Sequence, residues 1–417
     1  MSKLAILGGE PVRKKPWPAW PDGREEDVRA VAEVVRSGKW WQHAGEHTLT
    51  FEREFAAYQE ARHGVAVNSG TTALQVALEA LGVGPGDEVI VPAYTFQATA
   101  MSVVLANAVP VFADIEPRTM NIAPESVAER VTDRTRAIIP VHLAGLPADM
   151  ARLRELGEAR GILLVEDAAQ AHGAVSRGRK VGAIGQAGAF SFQASKNLCA
   201  GEGGMIVTND GEVAARAAGL RDCGRALGHP FYEHHFLGHN YRMTEMQSAL
   251  LRERLRHLEA ETQRRWENGR FLTKSIRELP GVEPLDPDPM PGDRRAYHLY
   301  PVRVRSEALG GLSVGRFAEA LGAEGVPCMA GYERPVYRNP AFLEQNFRPK
   351  GCPVSCSHYG RSVDYGEVSC PTAEELSEQV VWLFHSLLLG PREEMGDIAR
   401  AFEKVVTSHR DLRDATA

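Results

Sequence analysis

The chain has 417 residues, 43% hydrophobic and 24% charged, with a formal net charge of −6. That length exceeds one ordinary core and points to two domains. The mild negative charge and the lack of a basic cluster exclude a nucleic-acid surface, and no apolar run of about 18 residues would span a membrane. The opening MSKLAILGGEPVRKK has too short an apolar run for a secretory signal, and six cysteines without an even framework suit a reduced, cytoplasmic chain.

From about Phe51 to Asp210 strand and helix patterns alternate. GVAVNSG reads as a strand entering a turn, and TTALQVALEALG as a helix with Leu74, Ala77, Leu78 and Leu81 on one face and Gly82 as its stop. PGDEVIVP, VPVFADI, RAIIPVHL and GILLVEDAA read as strands, separated by helical FQATAMSVVLANA, PESVAERV and ADMARLRELGEARG. SRGRKVG reads as an exposed hairpin turn and AFSFQ as a half-buried strand. Strands apolar on both faces with helices between them predict an α/β fold, a mostly parallel sheet covered on both sides.

Beyond Asp210, MTEMQSALLRERLRHLEAETQRRWENGRFLTKSIREL is helical over a long span, with a break expected, and GVEPLDPDPMPGDRR reads as a loop. HLYPVRV predicts a strand, and SVGRFAEALGAEG and TAEELSEQVVWLFHSLLL predict helices, the second opened by a Thr372–Glu375 capping box. The expected division is a large α/β domain over residues 1–260, with an N-terminal arm over 1–30, and a smaller α+β domain over 261–417.

Three segments carry chemistry. VNSGTTAL ends a strand and opens a helix, so free amides and the helix dipole there would face an anion, with Gly70, Thr71 and Thr72 at the turn; simple helix capping by Ser69 or Thr71 is the competing reading. Asp167 ends the very apolar strand LLVED, where ligands of parallel sheets bind, and either meets a cation or caps the next helix. Lys196 follows the AFSFQ strand, and only Lys180 and Lys196 occur between Trp40 and Phe271. A phosphate cradle, a carboxylate and a partly buried lysine, in that order, are what pyridoxal phosphate needs for its phosphate, its ring nitrogen and its aldehyde. Cys352, Cys356, His358 and Cys370 lack the paired C-x2-C spacing, so free thiols and no metal are expected.

NSGTTALQVAL, VPAYTFQAT, VEDAAQAHG, FSFQASKNLCAGEGG and GHNYRMTEMQSAL together resemble the DegT/DnrJ/StrS-type sugar and cyclitol aminotransferases, fold-type I pyridoxal phosphate enzymes with a seven-stranded sheet. The resemblance runs from about Gly38 to the C-terminus and is densest up to Leu251. It implies that Lys196 is the Schiff-base lysine and proton carrier and that Asp167 pairs with the ring nitrogen. Phe96 would stack on the ring, Gln170 would lie near the phenolic oxygen, and Ser191 with the Gly70–Thr71–Thr72 turn would hold the phosphate. Asn240 would reach the phosphate of a neighbouring subunit, which implies a homodimer with shared sites. Arg242 is a candidate for the donor carboxylate, and Trp40, Trp41 and Tyr337 are candidate walls for a ring substrate. The implied reaction moves an amino group from glutamine or glutamate to a keto-cyclitol or keto-sugar. GKWWQ, PVHLAGLPADM, GYERPVYRNPAF and VVWLFHSLLLG are most similar to the branch with scyllo-inosose aminotransferases and aminohydroxybenzoate synthases, which suggests aminocyclitol or amino-sugar antibiotic biosynthesis. The rivals are an aminohydroxybenzoate-synthase-like enzyme, a nucleotide-keto-sugar aminotransferase, and a non-catalytic regulator that keeps the fold.

Overall fold

The computed structural model describes residues 3–414; the ends of the two expected domains, residues 1–2 and 415–417, lie outside the described residues. In chain order the first strands are β1 (His63–Val67), β2 (Glu88–Pro92), β3 (Val109–Ala113), β4 (Thr135–Ile138) and β5 (Leu163–Asp167). A short hairpin follows, β6 (Val175–Ser176) and β7 (Arg179–Lys180), then β8 (Ala187–Ser191) and β9 (Gly204–Thr208). Seven of these form one sheet in the order β1-β9-β8-β5-β4-β2-β3, in which β9 alone runs against the rest.

The expected half-buried strand at AFSFQ is β8, which is buried throughout from Ala187 to Ser191 and ends before half-buried Gln193. Its alternation is real but divides two apolar layers. Ala187 and Ala189 face the helix Gly70–Ala80, while Phe190 packs 5.0 Å from Phe55 of the helix His47–Tyr58.

A second, antiparallel sheet joins β10 (Val282–Pro284), β11 (Leu299–Val304), β12 (Cys328–Ala330) and β13 (Val380–Phe384) in the order β10-β11-β13-β12. Two sequence expectations change here. The start of GVEPL is strand β10 rather than loop, its ladder completed by β11. TAEELSEQVVWLFHSLLL is not one helix: the helix Pro371–Ser377 stops and β-branched, aromatic VVWLF becomes β13. The Thr372–Glu375 capping box does not form. The Asp114 carboxylate accepts instead from the amides of Thr372 and Ala373, each at 2.9 Å.

The helix Glu245–Ile276 runs 32 residues without the expected break. Gly269 does not interrupt it; a Cβ there would lie 2.4 Å from Tyr297 Cζ, so the glycine makes room for the tyrosine ring. The division expected at residue 260 falls inside this helix. Residues of the N-terminal arm join the C-terminal layer: Leu4 is buried with Phe317 and Phe402, and Arg13 pairs with Glu394 and Asp397 at 2.9 and 2.8 Å. No helix among the described residues is long and apolar enough to cross a membrane.

Candidate active site

A cavity of about 870 Å³ opens where β1, β2, β5 and β8 end, and Gly70, Thr71, Phe96, Asp167, Gln170, Ser191 and Lys196 all line it. The carboxyl ends of parallel strands are where such sheets bind ligands, because the helix N-termini converge there.

The helix Gly70–Ala80 begins with Ser69, whose Oγ accepts from Thr72 N at 3.1 Å, and Ser69 N donates to Thr72 Oγ1 at 3.2 Å. Thr72 is thus spent on the cap and does not line the cavity, a correction to its expected place in the phosphate turn. Ser69 is the capping residue, while the first-turn amides of Gly70 and Thr71 have no intrahelical acceptor and border the cavity. A Cβ on Gly70 would sit 2.7 Å from Ser191 Cβ, so β8 and the helix start meet only because that position is glycine.

Asp167 is buried at the end of β5. Thr99 Oγ1 donates to its Oδ2 at 2.7 Å and Ala169 N to its Oδ1 at 3.2 Å. Burial still pushes its carboxyl above the usual range, so the anion lacks a full counter-charge. Burial pulls the Lys196 amine down to about 8, against the opposing pull of Asp167. The Lys196 ammonium has no hydrogen-bond or ion-pair partner among the described residues.

Gln170 Oε1 accepts from Ala144 N at 2.7 Å, which turns its NH2 end toward the Tyr332 hydroxyl. Phe96 is 59% exposed, its ring 6.4 Å from that of Tyr332, so one face borders open cavity.

Five expected site residues lie elsewhere, among them Trp40, which does not line the cavity and whose Nε1 donates to Val35 O at 3.1 Å. Tyr337 is fully buried; its hydroxyl donates to Glu374 at 2.5 Å and accepts from Cys370 N at 3.0 Å, so it is core and not a substrate wall. Trp41, Asn240 and Arg242 do not line this chain's cavity and instead gather around Asp222. Arg242 Nη1 lies 2.6 Å from Asp222 Oδ1, its guanidinium 5.8 Å from the Trp41 ring, and Asn240 bridges to Asp222 through the backbone. All six cysteines are free, and among the described residues only His229, Glu233 and His235 bring metal-ligating atoms together.

The cavity also holds residues not singled out as site candidates: Trp20 from the N-terminal arm, and His298, Tyr332, Trp382 and His385 from the C-terminal layer. Tyr332 and Trp382 meet edge to face at 4.5 Å. These positions carry no local chemical signal in sequence; the fold alone delivers them. Among the described residues lining the cavity, Lys196 is the one lysine, and there is no arginine.

The pattern of the DegT/DnrJ/EryC1/StrS aminotransferase family matches residues 21–382. The chain belongs to that family. It is an aminotransferase. It is 39% identical over 423 residues, 98% of this chain and 99% of the relative, to an L-glutamine:2-deoxy-scyllo-inosose aminotransferase of Streptomyces lividus. It is 40% identical over 410 residues, 97% of this chain and 98% of the relative, to a putative L-glutamine:3-amino-2,3-dideoxy-scyllo-inosose aminotransferase of Streptoalloteichus tenebrarius. The crystal structure of 3-amino-5-hydroxybenzoic acid synthase is similar with a TM-score of 0.85 and 35% identity, over 95% of this chain and 100% of that one. The aminotransferase reading from the sequence and the seven-stranded, mostly parallel sheet both hold for this family member.

Proposed function

We propose that this chain binds pyridoxal phosphate in the cavity at the sheet ends and transfers an amino group from glutamine, or glutamate, to the carbonyl of a keto-cyclitol. The observation that carries this is Lys196 and Asp167 in one cavity, a depressed amine and a buried carboxylate short of a counter-charge. Pyridoxal phosphate supplies an aldehyde that condenses with amines and a ring that takes up electrons. The residues present fit it: the unpaired amides of Gly70 and Thr71 with Ser191 suit its phosphate, Asp167 suits a protonated ring nitrogen, and Gln170 offers N–H to the phenolic oxygen.

Lys196 is the covalent anchor and, once released, the base that carries a proton to and from the substrate carbon. Burial lowers the amine to about 8, so near that pH about half of it is neutral and able to act. Asp167, oriented by Thr99, would hold the ring nitrogen protonated, and Phe96 would cover one face of the ring. The aromatic pair Tyr332 and Trp382 bounds the space left for a ring substrate.

The cavity lacks an arginine for the donor carboxylate. We infer that a second copy of this chain completes it, with Asn240 and Arg242 of the Asp222 cluster facing the partner's cavity. The exposed Leu227, Phe231, Tyr232, Phe236 and Leu237 nearby support a covered surface there. The division near residue 260 into a large and a small domain belongs to the same reading. The names of the relatives favour glutamine as donor, a scyllo-inosose-type acceptor and a place in aminocyclitol biosynthesis.

The test is a matrix of amino donors against polyhydroxylated cyclohexanones and nucleotide-linked keto-sugars, read by mass spectrometry. Transfer from glutamine to the cyclohexanone is expected; transfer to nucleotide sugars alone would overturn the substrate class. The resemblance to 3-amino-5-hydroxybenzoic acid synthase favours a second reading, which an aromatic product would reveal by its ultraviolet spectrum.

A further inference from the structure

His298 enters the cavity from the C-terminal layer and is held there on three sides. Its amide donates to Ala144 O at 3.1 Å, and the amide of Ala296 donates to Gly145 O at 3.0 Å. Gly145 is φ +84°, and a Cβ there would lie 3.1 Å from His298 N, so the two segments dock backbone to backbone. The imidazole is fixed by Asn197, the residue after Lys196. Asn197 Nδ2 donates to Ala296 O at 2.8 Å, which turns Asn197 Oδ1, an obligate acceptor, toward His298 Nδ1 at 3.4 Å. Nδ1 therefore carries the proton and Nε2 is left with its lone pair. Burial, then the charge of Lys196, keeps the imidazole well below its usual pKa and so neutral. His298 Nε2 has no hydrogen-bond partner among the described residues, and His298 lines the cavity.

Two other acceptors in the cavity are committed, while the Glu202 carboxylate and His385 Nδ1 also remain open. Asp167 is bound by Thr99 and Ala169, and Gln170 Oε1 by Ala144. The rest of that wall is apolar at Leu299, Met329, Trp382 and Phe384 and polar at Tyr332, His385 and Ser386. A ring carrying several hydroxyls brings several donors, and a buried hydroxyl without an acceptor is costly.

We propose that His298 is a specificity residue whose Nε2 accepts a hydrogen bond from a ring hydroxyl of the polyhydroxylated amino acceptor, with Asn197 as the positioning residue that selects the tautomer. The proposal rests on the keto-cyclitol reading and says how this chain recognises that substrate.

The experiment measures binding of a non-reacting probe, a hexahydroxycyclohexane, to the cofactor-loaded enzyme by calorimetry. His298→Phe should weaken binding by about 10–100-fold, the effect of leaving one buried donor unpaired. His298→Gln, whose amide oxygen restores an acceptor, should recover most of it. A Phe variant that binds as tightly as the wild type, or a Gln variant as weak as the Phe variant, overturns the proposal while leaving the substrate reading intact. Failure of the wild type to bind the probe overturns both. Where His298→Phe does not fold, His298→Gln must retain near-wild-type affinity and Asn197→Ala must lose several-fold; the reverse order overturns the proposal.

Discussion

His385 Nε2 donates to the carbonyl of Ser195 at 3.0 Å, so the C-terminal layer grips the backbone one residue before Lys196. A carbonyl only accepts, so this bond fixes the proton on Nε2, and burial holds the ring neutral. His385→Ala should lower turnover about tenfold by loosening the loop that carries Lys196, the magnitude of one net hydrogen bond. His385→Gln, which presents an N–H at nearly the same reach, should restore most of the rate. Steady-state kcat of the two variants checks this, and equal losses would show that ring packing against Trp20, 4.7 Å away, matters more than the bond.

Asp167→Asn should move activity and stability in opposite directions. Burial raises the Asp167 carboxyl, so the folded apo chain holds a penalised anion at neutral pH. Below the usual carboxylate pKa the group is protonated in both states and the penalty vanishes; it grows as pH rises above about 4. The apo variant should therefore melt higher than apo wild type at pH 7, with the gap closing toward pH 4. Turnover should fall by orders of magnitude because a neutral amide does not hold the ring nitrogen protonated. Equal melting at pH 7 would mean that Lys196 already compensates the carboxylate in full.

Gly70→Ala should weaken cofactor retention by about tenfold or more, since the new Cβ would force Ser191 away from the phosphate turn. Ser191→Gly clears space for that Cβ, so the double variant should bind cofactor better than Gly70→Ala alone, a coupling a double-mutant cycle measures. Independent, additive losses would show that the turn and β8 do not share the phosphate.

Six strands of the large sheet were legible because each is a short apolar run; β9, which follows β8 with no helix between them, was not read from the sequence. That Lys196, Asp167, Phe96 and the Gly70 turn line one cavity was legible because each sits in a motif at a strand end. Thr72 was misplaced because a threonine two residues into a helix serves a cap as readily as a phosphate. Tyr337 was misplaced because a tyrosine that reaches Glu374 inside the core looks, in sequence, like one that faces a ligand. The expected helix at TAEELSEQVVWLF hid β13 because three polar residues, Ser377, Glu378 and Gln379, directly precede an apolar run that periodicity alone assigns poorly. His298, Trp382 and His385 reach the cavity only through the pairing of β11 with β13, a long-range contact no local pattern encodes.

The shared-site reading makes a prediction about mixtures. Lys196→Ala and Asn240→Ala homodimers each carry two defective sites. In a mixed dimer one site collects both defects and the other none, so co-expression should recover activity that neither variant shows alone. With random pairing about half of the dimers are mixed, each with one intact site. Mixed dimers verified by mass spectrometry without any gain over Asn240→Ala would place Asn240 at its own chain's site or at none.

The most direct test of the whole account is borohydride reduction of the enzyme as purified, followed by peptide mapping. Reduction fixes the cofactor to whichever amine holds it. A pyridoxyl adduct is expected on the peptide containing Lys196, and it should be lost in Lys196→Ala. An adduct on Lys180, which sits 3.3 Å over the Tyr58 ring outside the cavity, or no adduct at all, would contradict it.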